Sequence, residues 1–289
     1  MHINLKAEPV SNEVYARVSR AAESIRAKTG HAPTLATVLV GVDPASQVYV
    51  KRKGEMAAKL GMGHRDYKFE ANISQDLLMD TVRKLNADPE VDGILVQRPL
   101  PKHLDESKVF DLIDPTKDVD CFSPHNVGLL VQGRCKLLPC TPAGIMEIIR
   151  HYKIEITGKN ALVVGRSDIV GKPMAMLLLH SHATVTTAHS KTRDLAACVA
   201  EADIIVAAIG RVKFMTGNLP WKKSAVVIDV GINRNEASKL CGDVDFDAVA
   251  PKVAAITPVP GGVGPMTIAM LMVNTVRAAL MRKNIMDEV

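Results

Sequence analysis

Residues 160–173 read Asn-Ala-Leu-Val-Val-Gly-Arg-Ser-Asp-Ile-Val-Gly-Lys-Pro, a set of residue types suited to holding a phosphate. The apolar run Ala161 to Val164 breaks at Gly165, Gly171 follows six residues later, and Pro173 opens the apolar segment Met174 to Leu179. The pattern is a strand, a tight glycine turn and a helix start, with proline in the first turn where its missing N–H costs little. Backbone amides at such a start, beside a glycine with no side chain in the way, can cradle an anion. The spacing is not the GxGxxG of common dinucleotide folds, so an ordinary turn in a βαβ unit explains it equally well.

The next strand shifts that balance. In a dinucleotide fold an Asp or Glu about 20 residues past the glycine turn holds the adenosine ribose hydroxyls and favours NAD. Here the strand Ala183–Ala188 ends in His189-Ser190-Lys191-Thr192-Arg193, and no carboxylate occurs from Ile169 to Arg193. Ser190 supplies a hydroxyl, while Arg166, Lys191 and Arg193 supply cations. That environment suits a 2′-phosphate, so NADP is expected over NAD.

These groups need a scaffold, and the chain is long enough for two domains. It has 289 residues, of which 47% are apolar and only 3% aromatic. A core of Ala, Val, Ile, Leu and Met is expected. Scarce aromatics argue against a base-stacking nucleic-acid surface. The net charge of +5, without a run of like charges, suits a small anionic ligand better than a polyanion. Cys121, Cys135, Cys140, Cys198 and Cys241 include no CxxC pair, which argues against a disulfide framework or zinc site. His180, His182 and His189 are poorly spaced for a metal, and none is expected. The first eight residues lack an apolar signal core, and no uncharged apolar stretch approaches the length of a membrane span. A cytoplasmic protein with no membrane or nucleic-acid partner is expected.

Strand-like and helix-like patterns alternate throughout, which argues for α/β architecture with parallel sheets. Strands are expected near Leu35–Val40, His64–Phe69 and Gly93–Val96, with helices near Ser11–Lys28, Ala45–Leu60 and Ser74–Asn86. The second half offers strands near Ala161–Val164, Thr184–Ala188, Ile204–Ala208, Val226–Val230 and Ala254–Ile256. Asp114 to Asp120 reads as a linker, and Thr141-Pro142 as a helix start. Apolar residues at helical spacing mark a last helix from Met266 to Arg282. Asp243 and Asp245 read as turn or cap residues. Residues 1–120 with 270–289 are expected to form one domain, and 121–269 a Rossmann-like domain, with a cleft between them. Apolar strands at domain edges fit a homodimer.

Several further segments are distinctive: Tyr49-Val50-Lys51-Arg52-Lys53, Gly93 to Pro101, Lys117-Asp118-Val119-Asp120, Pro139-Cys140-Thr141-Pro142, Val227 to Ile232 and, most specific, Ile256 to Thr267. With Gly165-Arg166-Ser167, their order and spacing resemble the bifunctional methylenetetrahydrofolate dehydrogenase/methenyltetrahydrofolate cyclohydrolase family over nearly the whole chain. The resemblance implies hydride transfer from 5,10-methylenetetrahydrofolate to NADP, then hydrolysis of the 5,10-methenyl product to 10-formyltetrahydrofolate. Tetrahydrofolate derivatives are thus the expected substrates.

Tyr49 and Lys53 are four residues apart and share a helix face. The resemblance makes Tyr49 a packing surface for the folate rings and Lys53 the central cyclohydrolase group, oriented by Gln97. Without it, Lys53 on a helix rich in basic residues would read as a snorkelling surface lysine. The resemblance gives Asp120 the polar edge of the pterin, where a carboxylate can accept hydrogen bonds from amino and N–H groups. Asp118 reads as structural. Arg166, Ser167 and Ser190 map to phosphate-binding positions, Ile232 to a nicotinamide contact and Thr141 to the border of the site. Gly165 and Gly171 shape the turn. Val259, Pro260, Gly261, Gly262 and Pro265 would wall the folate pocket.

Two positions depart from the family pattern. Arg98 stands where leucine commonly follows the glutamine, and Cys121 where glycine usually follows the aspartate. A cation at Arg98 could depress the Lys53 pKa, compete for Gln97, or reach the folate glutamate tail. One alternative is therefore a dehydrogenase with impaired cyclohydrolase; others are an amino-acid or shikimate-type dehydrogenase of similar layout, which would not explain Tyr49, Lys53, Gln97 and Asp120, and a non-catalytic nucleotide sensor.

Overall fold

The computed structural model describes residues 2–286 and Val289. Its strands are β1 (Ile3–Asn4), β2 (Thr34–Val40), β3 (Gly63–Phe69), β4 (Gly93–Val96), β5 (Asn160–Val164), β6 (Thr184–Ala188), β7 (Ile204–Ala207), β8 (Val226–Asp229), β9 (Asn233–Arg234), β10 (Leu240–Cys241) and β11 (Ala255–Ile256). Its α-helices are α1 (Ala7–Thr29), α2 (Pro44–Lys59), α3 (Gln75–Ala87), α4 (Glu106–Leu112), α5 (Pro124–Val131), α6 (Cys140–His151), α7 (Gly171–His180), α8 (Leu195–Glu201), α9 (Phe246–Val249) and α10 (Val263–Arg282). The expected strands and long helices occur within a few residues of their anticipated places.

The chain forms two compact units. One comprises Glu13–Cys140 and the segment from Ile268 onward; the other comprises the segment up to Asn12 and Thr141–Thr267. These boundaries differ from the expected ones at two places. Strand β1 pairs parallel with β11, which ties the first residues to the second sheet. Residues 121–140 stay with the first unit because Asp118 accepts hydrogen bonds from the amides of Phe122 and Ser123, and Asn274 Nδ2 donates to the carbonyls of Val119 and Leu138.

The first unit has a three-stranded parallel sheet in the order β3-β2-β4. Every residue of β2 is buried, as a parallel strand covered on both faces requires. Leu78, Val82 and Leu85 of α3 bury one helical stripe against Val38, Ile94 and Val96. Pro44 opens α2, whose cap Asp43 accepts a hydrogen bond from the Ser46 amide at 2.7 Å.

The second unit has a six-stranded sheet, order β1-β11-β8-β7-β5-β6, parallel at every pairing. From β5 the chain moves to β6 on one side and β7 on the other. The carboxyl end of β5, where Gly165 sits, is therefore a topological switch point, the place where open α/β sheets bind ligands.

Helix α10 is long and apolar enough to cross a membrane by length and composition, although Arg277 and Arg282 lie within it. It serves as a core helix, with 72% of that window buried inside the protein.

Candidate active site

In the first unit, α2 delivers Lys53 and β4 delivers Gln97 to the same point. The Gln97 amide continues the ladder by donating to Val38 O at 2.8 Å. Its side-chain Nε2 donates to the Arg98 carbonyl at 2.8 Å, which turns Oε1 toward the lysine. Lys53 Nζ donates to that oxygen at 2.9 Å, and the residue is only 8% exposed. Tyr49 lies one turn earlier on the same face, half-buried.

Charge tunes this group in two directions. Burial pushes the Lys53 ammonium below the ordinary lysine range, while Asp120 and then Cys140 pull it back up. Burial likewise raises the Asp120 carboxyl, against the opposing effect of Lys53. Both members are therefore easier to neutralise than in water. Cys140, also buried, has its thiol raised by desolvation, and its Sγ faces Val119 O at 3.3 Å.

Asp118 plays the structural part expected of it, binding the amides of Phe122 and Ser123 and Asn126 Nδ2. Lys117 was not singled out by the sequence. It is fully buried and donates from Nζ to Leu85 O at 2.8 Å and Asp88 O at 2.7 Å.

Arg98 makes its side-chain contacts away from Gln97 Oε1, and among the described charges it acts on Asp120 rather than on Lys53. Its guanidinium pairs with Glu106 at 2.8 Å and lies over the Phe110 and Phe122 rings, 5.6 and 6.0 Å from their centroids. Gln97 Oε1 is left to Lys53. Cys121 adopts φ 58°, which explains why glycine suits this position; its Sγ lies 3.6 Å from Cys135 Sγ.

A cavity of about 580 Å³ in this unit lies away from Lys53. Gln47, Lys51, Gly54 and Glu55 line it from the α2 face opposite Tyr49 and Lys53.

In the second unit, Gly165 has φ 135°, and a Cβ there would sit 2.1 Å from Ala208 O. A Cβ on Gly171 would sit 2.4 Å from Gly165 O, so the turn closes only with glycine at both positions. The anion pocket expected from free amides needs adjustment. The Val170 and Gly171 amides already donate to Ser167 Oγ, at 3.3 and 3.2 Å. This turn also presents the Ser167 hydroxyl and the exposed Arg166 side chain.

At the end of β6, His189 and Thr192 close a small turn. The His189 amide donates to Thr192 Oγ1, and the Lys191 amide to His189 Nδ1. His189 is thus occupied locally, while Ser190, Lys191 and Arg193 are exposed. Among the described residues no group of three or more His, Cys, Asp or Glu side chains could hold a metal.

Ile232 is 55% exposed on the loop after β8. Thr141, near the start of α6, shares a 2.9 Å hydrogen bond with Thr267. Val259 and Pro260 are joined by a cis peptide. Gly262 is buried, whereas Pro260, Gly261 and Pro265 are exposed.

Two family models cover most of this chain. The catalytic domain of tetrahydrofolate dehydrogenase/cyclohydrolase matches residues 5–120, and its NAD(P)-binding domain matches 139–283. The chain belongs to the tetrahydrofolate dehydrogenase/cyclohydrolase family. It is 55% identical to the bifunctional protein FolD of Streptococcus thermophilus, over 86% of this chain and 87% of that one. The crystal structure of the Campylobacter jejuni bifunctional enzyme FolD superposes with a TM-score of 0.94 at 43% identity, covering 98% of this chain and all of the other. The Trypanosoma brucei enzyme, complexed with NADP cofactor and inhibitor, gives a TM-score of 0.92 at 36% identity over 99% of both chains.

Within this family fold, the chief miss of the sequence reading is the pair Asp229 and Asp243. Asp243 is no turn cap: it is fully buried and accepts hydrogen bonds from three backbone amides. The available signal was each aspartate's nearness to a glycine, in Asp229-Val230-Gly231 and Gly242-Asp243. Asp245, at the start of α9, pairs with Lys213 at 2.9 Å and makes no cap hydrogen bond.

Proposed function

We propose that the protein oxidises 5,10-methylenetetrahydrofolate by hydride transfer to NADP and hydrolyses the resulting 5,10-methenyl cation to 10-formyltetrahydrofolate. The carrying observation is the buried Lys53–Gln97 hydrogen bond beside Asp120. A lone dehydrogenase is disfavoured: of the two departures that suggested it, Arg98 is held by Glu106 and Cys121 adopts the positive φ that glycine would take, and the Lys53–Gln97 bond stands alongside both.

NADP, when bound, supplies the hydride acceptor. The residues fit that group: Gly165 leaves room for close approach, and the turn after β6 offers Ser190, Lys191 and Arg193 with no carboxylate. Hydride leaves a carbon flanked by two nitrogens, so the step needs alignment more than acid or base. Asp120 accepts hydrogen bonds from the pterin, and Tyr49 packs on its rings. Ile232 and Thr141 border the nicotinamide, and Val259, Pro260, Gly261, Gly262 and Pro265 wall the folate pocket.

Hydrolysis demands proton management. Water adds to the methenyl carbon and must lose a proton, and a ring nitrogen must take one as the bond to it breaks. Lys53, its charged form disfavoured by burial, takes the water proton as a neutral amine and is held by Gln97. The homodimer and cytoplasmic location belong to the same proposal. The outer edge of β3 has no strand neighbour among the described residues, and sedimentation equilibrium would give the subunit number.

Mixing the protein with methylenetetrahydrofolate and NADP, while following NADPH and the methenyl product separately, tests the reading. NADPH without methenyl build-up is expected. Accumulating methenyl product would remove the second activity, absence of NADPH would remove the first, and added methenyltetrahydrofolate that persists would then remove the second as well.

A further inference from the structure

Two carboxylates of the second unit are buried beside one another, with no cation among their hydrogen-bond partners in the described residues. Asp243 Oδ2 accepts from the amides of Ile209 at 2.5 Å and Gly210 at 2.9 Å, and Oδ1 from the Arg211 amide at 2.9 Å and Asn233 Nδ2 at 2.8 Å. Asp229 accepts from the amides of Gly231, Asp243 and Val244, each at 2.9 Å. The backbone makes space for both. A Cβ on Gly231 would lie 2.3 Å from the Asp243 nitrogen, and one on Gly242 would lie 1.8 Å from Asp229 Oδ2.

An ionised carboxylate only accepts, so it can satisfy a convergence of N–H donors that an amide side chain would oppose with its own. Burying charge this way is costly unless it is fully hydrogen-bonded, and here the donors come from loops. Those loops lie at the carboxyl ends of β7 and β8. Residues 209–211 follow Ala208, whose carbonyl abuts Gly165. Asn233 follows Ile232, the exposed apolar side chain of the β8 loop.

We propose that Asp243 is a positioning residue for hydride transfer, clamping the 209–211 loop and the Ile232–Asn233 loop at the separation the nicotinamide half of NADP requires. The inference rests on the functional reading above. It assigns no chemistry to Asp243, which acts through the loops it binds. Asp229 fixes the other side of Asp243 by holding its amide, and burial has pushed the Asp229 carboxyl up to about 6.

The test uses the whole protein with two variants. Asn233→Ala removes one donor and leaves the three backbone bonds, whereas Asp243→Asn sets an NH2 group against them. Expected for Asn233→Ala is a rise of about threefold to tenfold in the NADP dissociation constant and KM, as loss of one charge-assisted hydrogen bond implies. Its cyclohydrolase rate on added methenyltetrahydrofolate should stay at the wild-type value, although its melting temperature falls by a few degrees. Asp243→Asn, where it folds, should show a larger NADP defect and a lower dehydrogenase kcat. Unchanged NADP binding and kcat in Asn233→Ala would overturn the proposal. So would a parallel fall of both activities with melting temperature, the mark of a merely structural role. A wild-type protein that binds no NADP would overturn the functional reading itself, and this inference with it.

Discussion

Lys53 and Lys117 are both buried lysines of the first unit, and burial lowers the pKa of each. Their surroundings differ in one respect that decides their roles. Lys117 Nζ donates to two backbone carbonyls, at the end of α3 and just beyond it, so its donors answer acceptors that the fold itself leaves open. Lys53 Nζ donates to a side-chain amide that is itself held by a backbone bond, with Asp120 and Tyr49 nearby. A lysine bonded to main-chain oxygens closes a structure. One bonded to a single oriented side-chain amide, beside a buried carboxylate, is placed to meet a reactant.

The largest effect expected from this contrast is chemical. Lys53→Ala should lower hydrolysis of methenyltetrahydrofolate by about 10³-fold, within the range general acid–base groups supply. Some dehydrogenase activity should survive, because hydride loss needs no proton acceptor. Hydrolysis at the wild-type rate would remove Lys53 from the reaction. Lys117→Met should do the reverse, lowering unfolding free energy by about 2 kcal/mol through the stranded Leu85 and Asp88 carbonyls while leaving kcat for both reactions unchanged. Denaturant titration reads the first quantity and initial rates the second. Lost activity in a stably folded Lys117→Met would erase the distinction.

The two lysines also separate by pH. Burial, reinforced by the charge of Arg282, brings Lys117 down to about 8, below its unfolded value near 10.5. Below pH 8 both states hold the proton and the cost of burying it is present in full. Between about 8 and 10.5 the folded protein has released it while the unfolded chain has not, so stability should rise with pH across that window. Thermal melts of the wild type against Lys117→Met would show this as a difference that widens from pH 8 upward. A flat difference would mean that the folded ammonium titrates like one in water.

Much of this was legible in the sequence, for identifiable reasons. The inner strands β2 and β5 announce themselves because buried parallel strands are near-continuous apolar runs, as in Leu35–Val40 and Ala161–Val164. Strand β1 has two residues and no periodicity to detect; only its partner β11 makes it a strand. Tyr49 and Lys53 could be paired by helical spacing alone, and Gln97 placed at a strand end. Three-dimensional convergence could not be read that way. The grip of Asp243 depends on loops 30 residues away in sequence, and Lys117 looks like any linker lysine until its carbonyl partners are seen. The same holds for Arg98: its type is visible, but its engagement by Glu106 is a tertiary fact.

Arg98 yields the smallest expected effect, and it probes whether the Lys53 group is insulated from charge beside it. The guanidinium is 43% exposed at its ion pair with Glu106, so that pair contributes no more than about 1 kcal/mol, and its stacking over Phe110 and Phe122 adds a similar amount at most. Glu106 keeps a second bond, from the Leu100 amide at 2.8 Å, and stays in place without its cation. Leucine at this position would bury its side chain on the same two rings and recover part of the loss. Arg98→Leu should therefore change stability by less than about 1 kcal/mol and hydrolysis by less than about twofold. Hydrolysis that rose tenfold in the variant would show the arginine restraining Lys53 through space, and the lysine's local partners would no longer suffice to explain its behaviour.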